Sequence, residues 1–358
     1  MSRYSRHIVL EEVGPQGQAK LSAAKVLVIG AGGLGCPVLQ YIAAAGIGTL
    51  GVIDFDAVEL SNLQRQILFG TSQLGMNKAL AAKSRLEDLN PEIQINAYPE
   101  RLTSKNALSL FEQYDLIVDG SDNFVTRYLV NDACIISGKP FVFGAIYKFE
   151  GHLAVFNYKE GPSYRCLFPN PPKEGSVANC SEVGVLGVLP GIIGCMQANE
   201  VIKIVLGFDN VLSGKLLCYN AKTATSTMIK VVKSEVEINK VHLLKDQWEA
   251  QHSDSSSESS FAEISAEEAL LMNDAVFIDV RERDEFPKIE TPPSLQIPLN
   301  TIAQHLNRLQ ATKTYVVYCQ SGVRSALAVQ QLKEYDIPNC FSLKGGALAL
   351  VDQLNLKS

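Results

Sequence analysis

A glycine loop at residues 30–35, with the sequence GAGGLG, constrains the fold of this chain more than any other segment. It directly follows the apolar run KVLVI and precedes a helical pattern, so backbone N–H groups and a helix N-terminus meet where an anion can bind. Apolar runs separated by helical patterns then continue to Ile146. This alternation predicts an α/β fold with a Rossmann-like, doubly wound and mostly parallel sheet. The later runs GHLAVFNY, LLCYNA and TSTMIKVV predict an added antiparallel part.

The segment QHSDSSSESS, residues 251–260, contains no aliphatic or aromatic residue and is typical of a solvated linker. Beyond it the runs AVFIDV and TYVVYC, with helical patterns on either side, predict a small second α/β domain. We therefore expect one domain over 1–248, a Ser-rich linker over 249–260 and a second domain over 261–358.

Composition limits the classes of function. The chain is 46% hydrophobic and carries a net charge of −6, which argues against binding to a nucleic-acid backbone. The apolar stretch Gly184–Ala198 is short and contains Pro190, so we expect a buried helix and no membrane span. The N-terminus has no signal-peptide pattern, and the eight cysteines form no CxxC pair. These features predict a cytoplasmic, reduced setting.

The residues after the second predicted strand decide between two chemistries. Asp54 lies 19 residues after Gly35, where a carboxylate can hold ribose hydroxyls, and the loop and Asp54 alone would favour an NAD-dependent oxidoreductase. Hydride transfer, however, has no use for the polar and charged residues that follow, while a reaction at phosphorus needs cations and a magnesium-binding carboxylate. These residues are Asn62, Arg65, Gln66, Lys78, Asp122 and Asn123.

From Arg3 to Val232 the chain resembles the MoeB/ThiF/HesA family of ubiquitin-activating-enzyme-like adenylyltransferases. The motifs that carry the resemblance occur in the family's order: RYSRHIVL, GAGGLG, DFD, SNLQRQ, GMNKA, SDN with Thr126-Arg127, and NCSEVGVLGVLPGIIGCMQANEVIK. The resemblance implies ATP as cosubstrate, with Mg²⁺ held through Asp122. The ATP contacts that it implies are Gly33, Asp54, Ser61, Asn62, Leu63, Gln64, Arg65, Lys78, Asp122 and Asn123.

The same resemblance implies that Arg6 reaches the nucleotide of the other subunit in a homodimer. Each residue has a simpler alternative. Arg6 could be a surface cation, Lys78 a solvated helix residue, and Asp122 the N-cap of the helix that follows. The catalytic set that we expect is Arg6, Arg65, Lys78, Asp122, Cys180 and Cys319.

Two cysteine positions bear on how the chain departs from the family. Many relatives bind zinc with two CxxC pairs, but here the first pair reads S-Y-R-C, with Ser163 at its start, and residues 215–247 hold no second pair. We therefore predict no zinc site and expect apolar packing to hold this region. Cys180 matches a family cysteine that forms a thioester or acyl-disulfide in some relatives, although it could be a structural thiol.

Cys319 ends the run TYVVYC and is followed by QSGVRS, which predicts a loop of backbone amides aimed at the sulfur. Four residues separate Cys319 from Arg324, one fewer than in cysteine phosphatases, so the loop suits a sulfur atom. Together with FIDVRERDEF, the segment resembles a rhodanese domain, whose sulfur loop would be Cys319, Gln320, Ser321, Gly322, Val323 and Arg324. The segment FPKIETPPSLQIPL departs from the usual pattern, and an inactive docking module is the alternative.

These resemblances imply a two-step function. ATP would adenylylate the C-terminal Gly-Gly carboxylate of a ubiquitin-like sulfur-carrier protein, and a persulfide on Cys319, loaded by a sulfur donor, would then convert it to a thiocarboxylate. Molybdopterin and thiamine biosynthesis use such carriers, and the sequence leaves the pathway open. An oxidoreductase and a non-catalytic scaffold for a ubiquitin-like partner are the alternatives.

Overall fold

A computed structural model describes residues 3–172, 184–245, 248, 262–272, 274–283, 285–289, 294–320 and 322–355. The chain forms two compact units. Among the described residues, the first unit holds everything up to Trp248 and the second begins at Ala262. The predicted linker, residues 249–260, lies outside the described residues.

The first unit is built on one eight-stranded sheet with the order β3-β2-β1-β4-β5-β6-β7-β8. The first five strands along this order are parallel, and β6, β7 and β8 add antiparallel pairs. The predicted fold class is therefore confirmed. The strands are β1 (Lys25–Ile29), β2 (Thr49–Ile53), β3 (Gln94–Tyr98), β4 (Leu116–Asp119), β5 (Phe141–Tyr147), β6 (Glu150–Phe156), β7 (Lys215–Asn220) and β8 (Thr225–Lys230).

Helices cover both faces of this sheet, and a separate apolar core fills each side. Asn77 caps α4 by accepting the N–H groups of Ala79 and Leu80, and glycines in the left-handed conformation end α3 and α6. The helices are α1 (Ser5–Ile8), α2 (Gly14–Ala23), α3 (Gly35–Ala45), α4 (Lys78–Leu89), α5 (Ser104–Phe111), α6 (Phe124–Ser137), α7 (Tyr164–Leu167), α8 (Val188–Leu206) and α9 (Glu235–Leu243).

Helix α8 is the apolar helix that the sequence predicts, but it begins later and runs further than the stretch 184–198. Pro190 lies in its first turn, where a missing backbone N–H costs nothing, so the helix continues past it. The helix is long and apolar enough to cross a membrane by length and composition. It packs against α3, β5 and β6, and Gln197 and Glu200 are among its buried residues, as in a core helix.

The second unit contains a five-stranded, all-parallel sheet with the order β11-β10-β12-β13-β9. Apolar clusters lie on both of its faces. Its elements are β9 (Ala262–Ile264), α10 (Ala266–Ala269), β10 (Val276–Asp279), β11 (Ser294–Gln296), β12 (Tyr315–Tyr318), α11 (Val323–Glu334), β13 (Cys340–Leu343) and α12 (Gly346–Asn355).

One predicted element of the second unit is wrong. The sequence predicts an α-helix before β12, whereas the chain forms two short 3₁₀ segments, Leu299–Gln304 and Leu306–Arg308. Leu299 and Ile302 are three residues apart and both buried, and a 3₁₀ helix brings that spacing onto one face.

Candidate functional sites

The glycine loop joins β1 to α3 and requires glycine for close packing. A side chain at Gly35 would collide with the Gly30 carbonyl, and Gly30 itself has a φ of 87°. A side chain at Gly33 would meet Pro190 of α8 at 3.1 Å and Arg65 at 3.6 Å. The loop is therefore held against both segments, with the N-terminus of α3 directly behind it.

Asp54 ends β2 and ties the glycine loop to that strand. Its Oδ2 accepts the Ala31 N–H at 2.8 Å and its Oδ1 accepts the Asp56 N–H at 2.9 Å. Burial raises the pKa of the Asp54 carboxyl, and the two backbone hydrogen bonds act in the opposite direction. Each carboxylate oxygen can accept a second hydrogen bond, so the geometry leaves capacity for a ribose hydroxyl.

The segment SNLQRQ, residues 61–66, lies beside the glycine loop. Asn62 and Glu59 cap each other around a 3₁₀ turn, and Arg65 Nη1 donates to the Ser61 carbonyl at 3.1 Å. Gln64 packs against Gly187, ahead of α8, and Leu63 packs on the core. These contacts fix the segment between β2 and α8.

Lys78 begins α4 and is buried, with only 6% of its surface exposed. Its Nζ lies 3.1 Å from Asp56 Oδ2, two residues after Asp54. The alternative that Lys78 is a solvated helix residue is therefore wrong. The fold brings this ammonium to the carboxyl end of β2, beside the glycine loop.

The loop between β4 and α6 carries Asp122 and Asn123. Asn123 is the N-cap of α6 and accepts the Thr126 N–H at 2.8 Å, while the exposed Asp122 makes no cap. The alternative that Asp122 is the N-cap is therefore wrong. The loop lies at the carboxyl end of β4, which pairs with β1.

A buried pair beneath that loop was missed by the sequence analysis. Asp119 Oδ1 accepts both the N–H and the hydroxyl of Ser121, at 2.9 and 2.6 Å. Arg127 Nη2 donates to the Ser121 carbonyl at 3.4 Å, and its Nε lies 3.7 Å from Asp119 Oδ2. Asp119 and Arg127 therefore hold Ser121 from both sides. A carboxylate that ends an apolar strand was the signal in the sequence.

Four buried side-chain atoms in the described residues have no hydrogen-bond partner: Gln66 Oε1, Asp119 Oδ2, Arg127 Nε and Gln197 Oε1. Gln197 Nε2 donates to the Asp119 carbonyl at 2.8 Å, and Gln66 lies beside Gly32. All four atoms thus surround the glycine loop and the end of β4. Burying a polar group without a partner is costly, and such costs concentrate at functional sites.

Two predicted site residues, Arg6 and Cys180, are not among the residues that the structure brings together around the glycine loop. Arg6 is exposed on α1, and no described contact joins it to Arg65, Lys78 or Asp122 of the same chain. Cys180 lies outside the described residues.

Ser163 and Cys166, at the first CxxC position, take part in a hydrogen-bonded cluster. The N–H groups of Ser163 and Ser234 donate to Cys166 Sγ at 3.3 and 3.2 Å. The residues that the structure describes include no group of three or more metal-binding side chains. Cys166 packs against an apolar cluster of Ile135, Ile238 and Val241. Apolar packing and hydrogen bonds to the sulfur therefore both hold this region.

Cys319 follows β12 and is fully buried. Its sulfur accepts the Gly322 N–H at 3.1 Å, and Gly322 has a φ of 107°, which favours glycine. Ser325 Oγ lies 3.8 Å from the same sulfur, at the start of α11. Ser321 and the side chain of Val323 lie outside the described residues.

Two ion pairs flank this sulfur loop. Arg281 donates to both oxygens of Asp279 at 2.9 and 2.7 Å, and also to Gln320 Oε1 at 3.1 Å. Arg324 donates to both oxygens of Glu285 at 2.6 and 2.7 Å. Both guanidinium groups are therefore paired in the bidentate geometry that gives the strongest ion pairs.

Residues 4–239, well over half of the chain, match the model of the ThiF family. The chain belongs to the ThiF family. Residues 265–353 match the rhodanese-like domain. Both resemblances inferred from the sequence are confirmed.

Two curated relatives match over nearly the whole chain, and a third matches its first part. The chain is 39% identical over 376 residues to adenylyltransferase and sulfurtransferase MOCS3 of Culex quinquefasciatus, covering 97% of this chain and 86% of that protein. It is 39% identical over 368 residues to the probable adenylyltransferase/sulfurtransferase MoeZ of Mycobacterium tuberculosis, covering 99% and 93%. A sulfur carrier protein adenylyltransferase of Thermus thermophilus is 53% identical over 236 residues, covering 64% of this chain and 87% of that protein.

Solved structures agree at the level of the fold. The crystal structure of Escherichia coli MccB with ATP matches with a TM-score of 0.58 and 23% identity, over 66% of this chain and 73% of that one. At this identity the similarity concerns the fold alone.

Proposed function

We propose that this ThiF-family chain adenylylates the C-terminal Gly-Gly carboxylate of a ubiquitin-like sulfur-carrier protein and then delivers sulfur to it. The observation that carries the first half is the convergence of Asp54, Lys78 and the 120–123 loop around the glycine loop. This site combines a glycine loop at a helix N-terminus with a buried cation and an exposed carboxylate. Such a combination suits the binding of a nucleoside triphosphate. The relatives' names support the choice of acceptor and of chemistry.

In this proposal the N–H groups of the glycine loop and the α3 N-terminus bind the phosphates, and Asp54 orients the ribose. Lys78 and Arg65 neutralise the charge that develops when the carrier carboxylate attacks the α-phosphate and pyrophosphate leaves. Asp122, an exposed carboxylate on a polar loop, fits the oxygen ligands that Mg²⁺ prefers. When bound, Mg²⁺ would neutralise the phosphate oxygens. Ser61, Asn62, Leu63, Gln64 and Asn123 would shape the rest of the pocket.

Arg6 is exposed on its own chain, and we propose that it reaches the nucleotide of a second copy in a homodimer. The proposed setting is the cytoplasm. In the second half, the outer sulfur of a Cys319 persulfide attacks the adenylylated carbonyl and AMP leaves, which gives an acyl disulfide between the carrier and Cys319. A second thiolate, for which Cys180 is the candidate, then attacks the Cys319 sulfur, so that the carrier leaves as a thiocarboxylate and a disulfide remains on the enzyme. The buried sulfur and its Gly322 hydrogen bond support this role, because amide donors stabilise a thiolate or persulfide anion. Cys180 would carry the acyl group or resolve a disulfide.

Carrier-dependent exchange of pyrophosphate into ATP tests the first half. We expect exchange with a carrier that ends in Gly-Gly and none with the same carrier lacking its last two residues. A panel of molybdopterin-type and thiamine-type carriers would identify the pathway. Tight NAD binding without exchange would instead favour an oxidoreductase, and carrier binding without exchange would favour a scaffold.

A further inference from the structure

Gln66 ends the segment beside the glycine loop, and its side-chain amide is buried without a hydrogen bond. Only 4% of the residue's surface is exposed, and its Oε1 is one of the four enclosed atoms that lack a partner. Among the described residues, no hydrogen bond reaches either end of this amide. An unpaired buried amide lowers the stability of a protein, so a position that retains one calls for an explanation.

The backbone around Gln66 is fixed, which keeps the amide in place. The Gln66 N–H donates to the Asn62 carbonyl at 2.9 Å, and the Gln66 carbonyl accepts the Phe69 N–H at 3.1 Å. Leu68 and Phe69, which follow closely, are buried in the apolar core. The amide is therefore held in position before any ligand binds, as a contact in an active site requires.

This amide faces a space beside Gly32, which is partly exposed. Gln66 Nε2 lies 3.9 Å from the point that a Cβ would occupy at Gly32, and no other described atom beyond the two chain neighbours lies within 4 Å of that point. At Gly33 the same point is crowded by Pro190 at 3.1 Å, and at Gly35 it collides with the loop's own backbone. Packing within the protein therefore requires glycine at positions 33 and 35 but not at 32.

The position of this space favours an anionic oxygen as its occupant. The space lies beside the N–H groups of the glycine loop, which suit phosphates. Phosphate oxygens and an attacking carboxylate only accept hydrogen bonds when they are ionised, whereas the amide nitrogen only donates. The donor end of Gln66 is also the end that lies near Gly32.

We infer that Gln66 contacts the reactants directly, with its Nε2 donating a hydrogen bond to an anionic oxygen beside Gly32. That oxygen belongs to an ATP phosphate or to the terminal carboxylate of the carrier. The inference rests on the proposed adenylylation and adds a ligand-contacting residue to it. On this basis the amide stays unpaired in the free protein and gains its partner only in the complex.

Gln66→Met in the full-length protein separates this role from a structural one. Methionine is flexible and close to glutamine in length, but it offers no strong donor or acceptor. We expect carrier-dependent pyrophosphate exchange to fall roughly tenfold to hundredfold, the effect of losing one hydrogen bond to a charged group. The unfolding temperature of the free protein should be equal or higher, because the variant buries no unpaired amide.

Gln18→Met is the matched control for stability. Gln18 is also buried, with 6% of its surface exposed, but both ends of its amide are paired. Its Nε2 donates to the Ala45 carbonyl at 3.0 Å, and its Oε1 lies 3.2 Å from His7 Nδ1. We therefore expect Gln18→Met to lower the unfolding temperature, opposite in direction to Gln66→Met.

Two further variants test the direction of the hydrogen bond and the space itself. Gln66→Glu keeps the shape, but an ionised carboxylate can only accept, so exchange at pH 8 should fall below that of Gln66→Met. Gly32→Ala should fold, because the φ of Gly32 is not in the left-handed region and 3.9 Å is an ordinary contact. Its methyl group would occupy the space and should raise the KM of the affected reactant by roughly tenfold or more. A higher KM for ATP identifies a phosphate oxygen, and a higher KM for the carrier identifies its carboxylate.

Exchange within about twofold of wild type in Gln66→Met would overturn the inference. It is also overturned if Gln66→Met lowers the unfolding temperature as far as Gln18→Met does, because Gln66 is then structural. Exchange in Gln66→Glu at or above that of Gln66→Met would contradict donation to an anionic oxygen.

Failure of the proposed function itself has a different signature. The wild-type protein would then show no exchange with any carrier. The rise in unfolding temperature on adding ATP and Mg²⁺ still decides the inference in that case. A larger rise in wild type than in Gln66→Met supports the contact, whereas equal rises, or none, overturn it.

Discussion

The two loops that follow parallel strands in this protein differ in how their charges are satisfied. Around the glycine loop and the end of β4, Asp119 and Arg127 approach only to 3.7 Å, and buried polar atoms remain without partners among the described residues. Beside the Cys319 loop, Arg281 and Arg324 each form a bidentate ion pair with a carboxylate. The groups around the glycine loop therefore retain hydrogen-bonding capacity for a highly charged ligand. The two arginines beside the Cys319 loop, in contrast, are already paired with carboxylates of the protein.

The largest expected effect concerns the charged residues of the first site. We expect Lys78→Ala and Asp122→Ala each to reduce carrier-dependent pyrophosphate exchange by about a thousandfold or more, because each removes a group that faces developing charge. Lys83→Ala is the control, since Lys83 lies on the same helix in an exposed pair with Glu87. Exchange at wild-type rates in either site variant would rule out the assigned roles.

Loss of Cys319 should separate the two sites. In Cys319→Ala, mass spectrometry of the carrier should detect no sulfur-for-oxygen gain, while pyrophosphate exchange stays within about twofold of wild type because it needs no sulfur. Cys340→Ala, which alters another buried thiol of the second unit, should retain thiocarboxylate formation. A carrier thiocarboxylate formed by Cys319→Ala would point to Cys180 or to free sulfide as the source.

A smaller effect is expected at Asp119. Asp119→Asn weakens the hold on Ser121, so the loop that carries Asp122 should be less ordered and exchange should fall about tenfold to hundredfold, with a higher KM for ATP. Hydrogen exchange of peptides covering residues 116–124 should be faster in the free protein.

Asp132→Asn is a matched control for Asp119→Asn. Asp132 lies on α6, is buried, and is paired in bidentate geometry with Arg165, away from the loop. Both variants should lower the free energy of unfolding by a few kcal/mol, about the cost of breaking a buried pair. Equal changes of KM in the two variants would show that the Asp119 effect is only one of stability.

The smallest expected effect is at the hydrogen-bonded cluster of Cys166. Cys166→Ala should lower the free energy of unfolding by about 1 kcal/mol, since two backbone N–H groups lose a weak acceptor. Metal analysis of the purified wild-type protein should find zinc well below one per chain. One equivalent of zinc that is lost only on unfolding would contradict the prediction.

Local sequence determined much of this protein. A glycine loop after a strand, the alternation of apolar runs with helices, and short motifs predicted the sheet and the family, because these signals depend on neighbouring residues. The apolar stretch 184–198 did not give the bounds of α8, which begins at Val188 with Pro190 in its first turn and continues to Leu206.

The tertiary structure decided what the side chains do. Whether Lys78 is solvated or buried depends on the fold of the 54–56 segment beside it, and the pairing of Asp119 with Arg127 depends on how α6 packs on β4. Glu285 meets Arg324 only because β10 pairs with β12, which brings the segments that follow both strands to one edge of the sheet. Such contacts join residues far apart in sequence, and they follow from strand order and register, which no local pattern encodes.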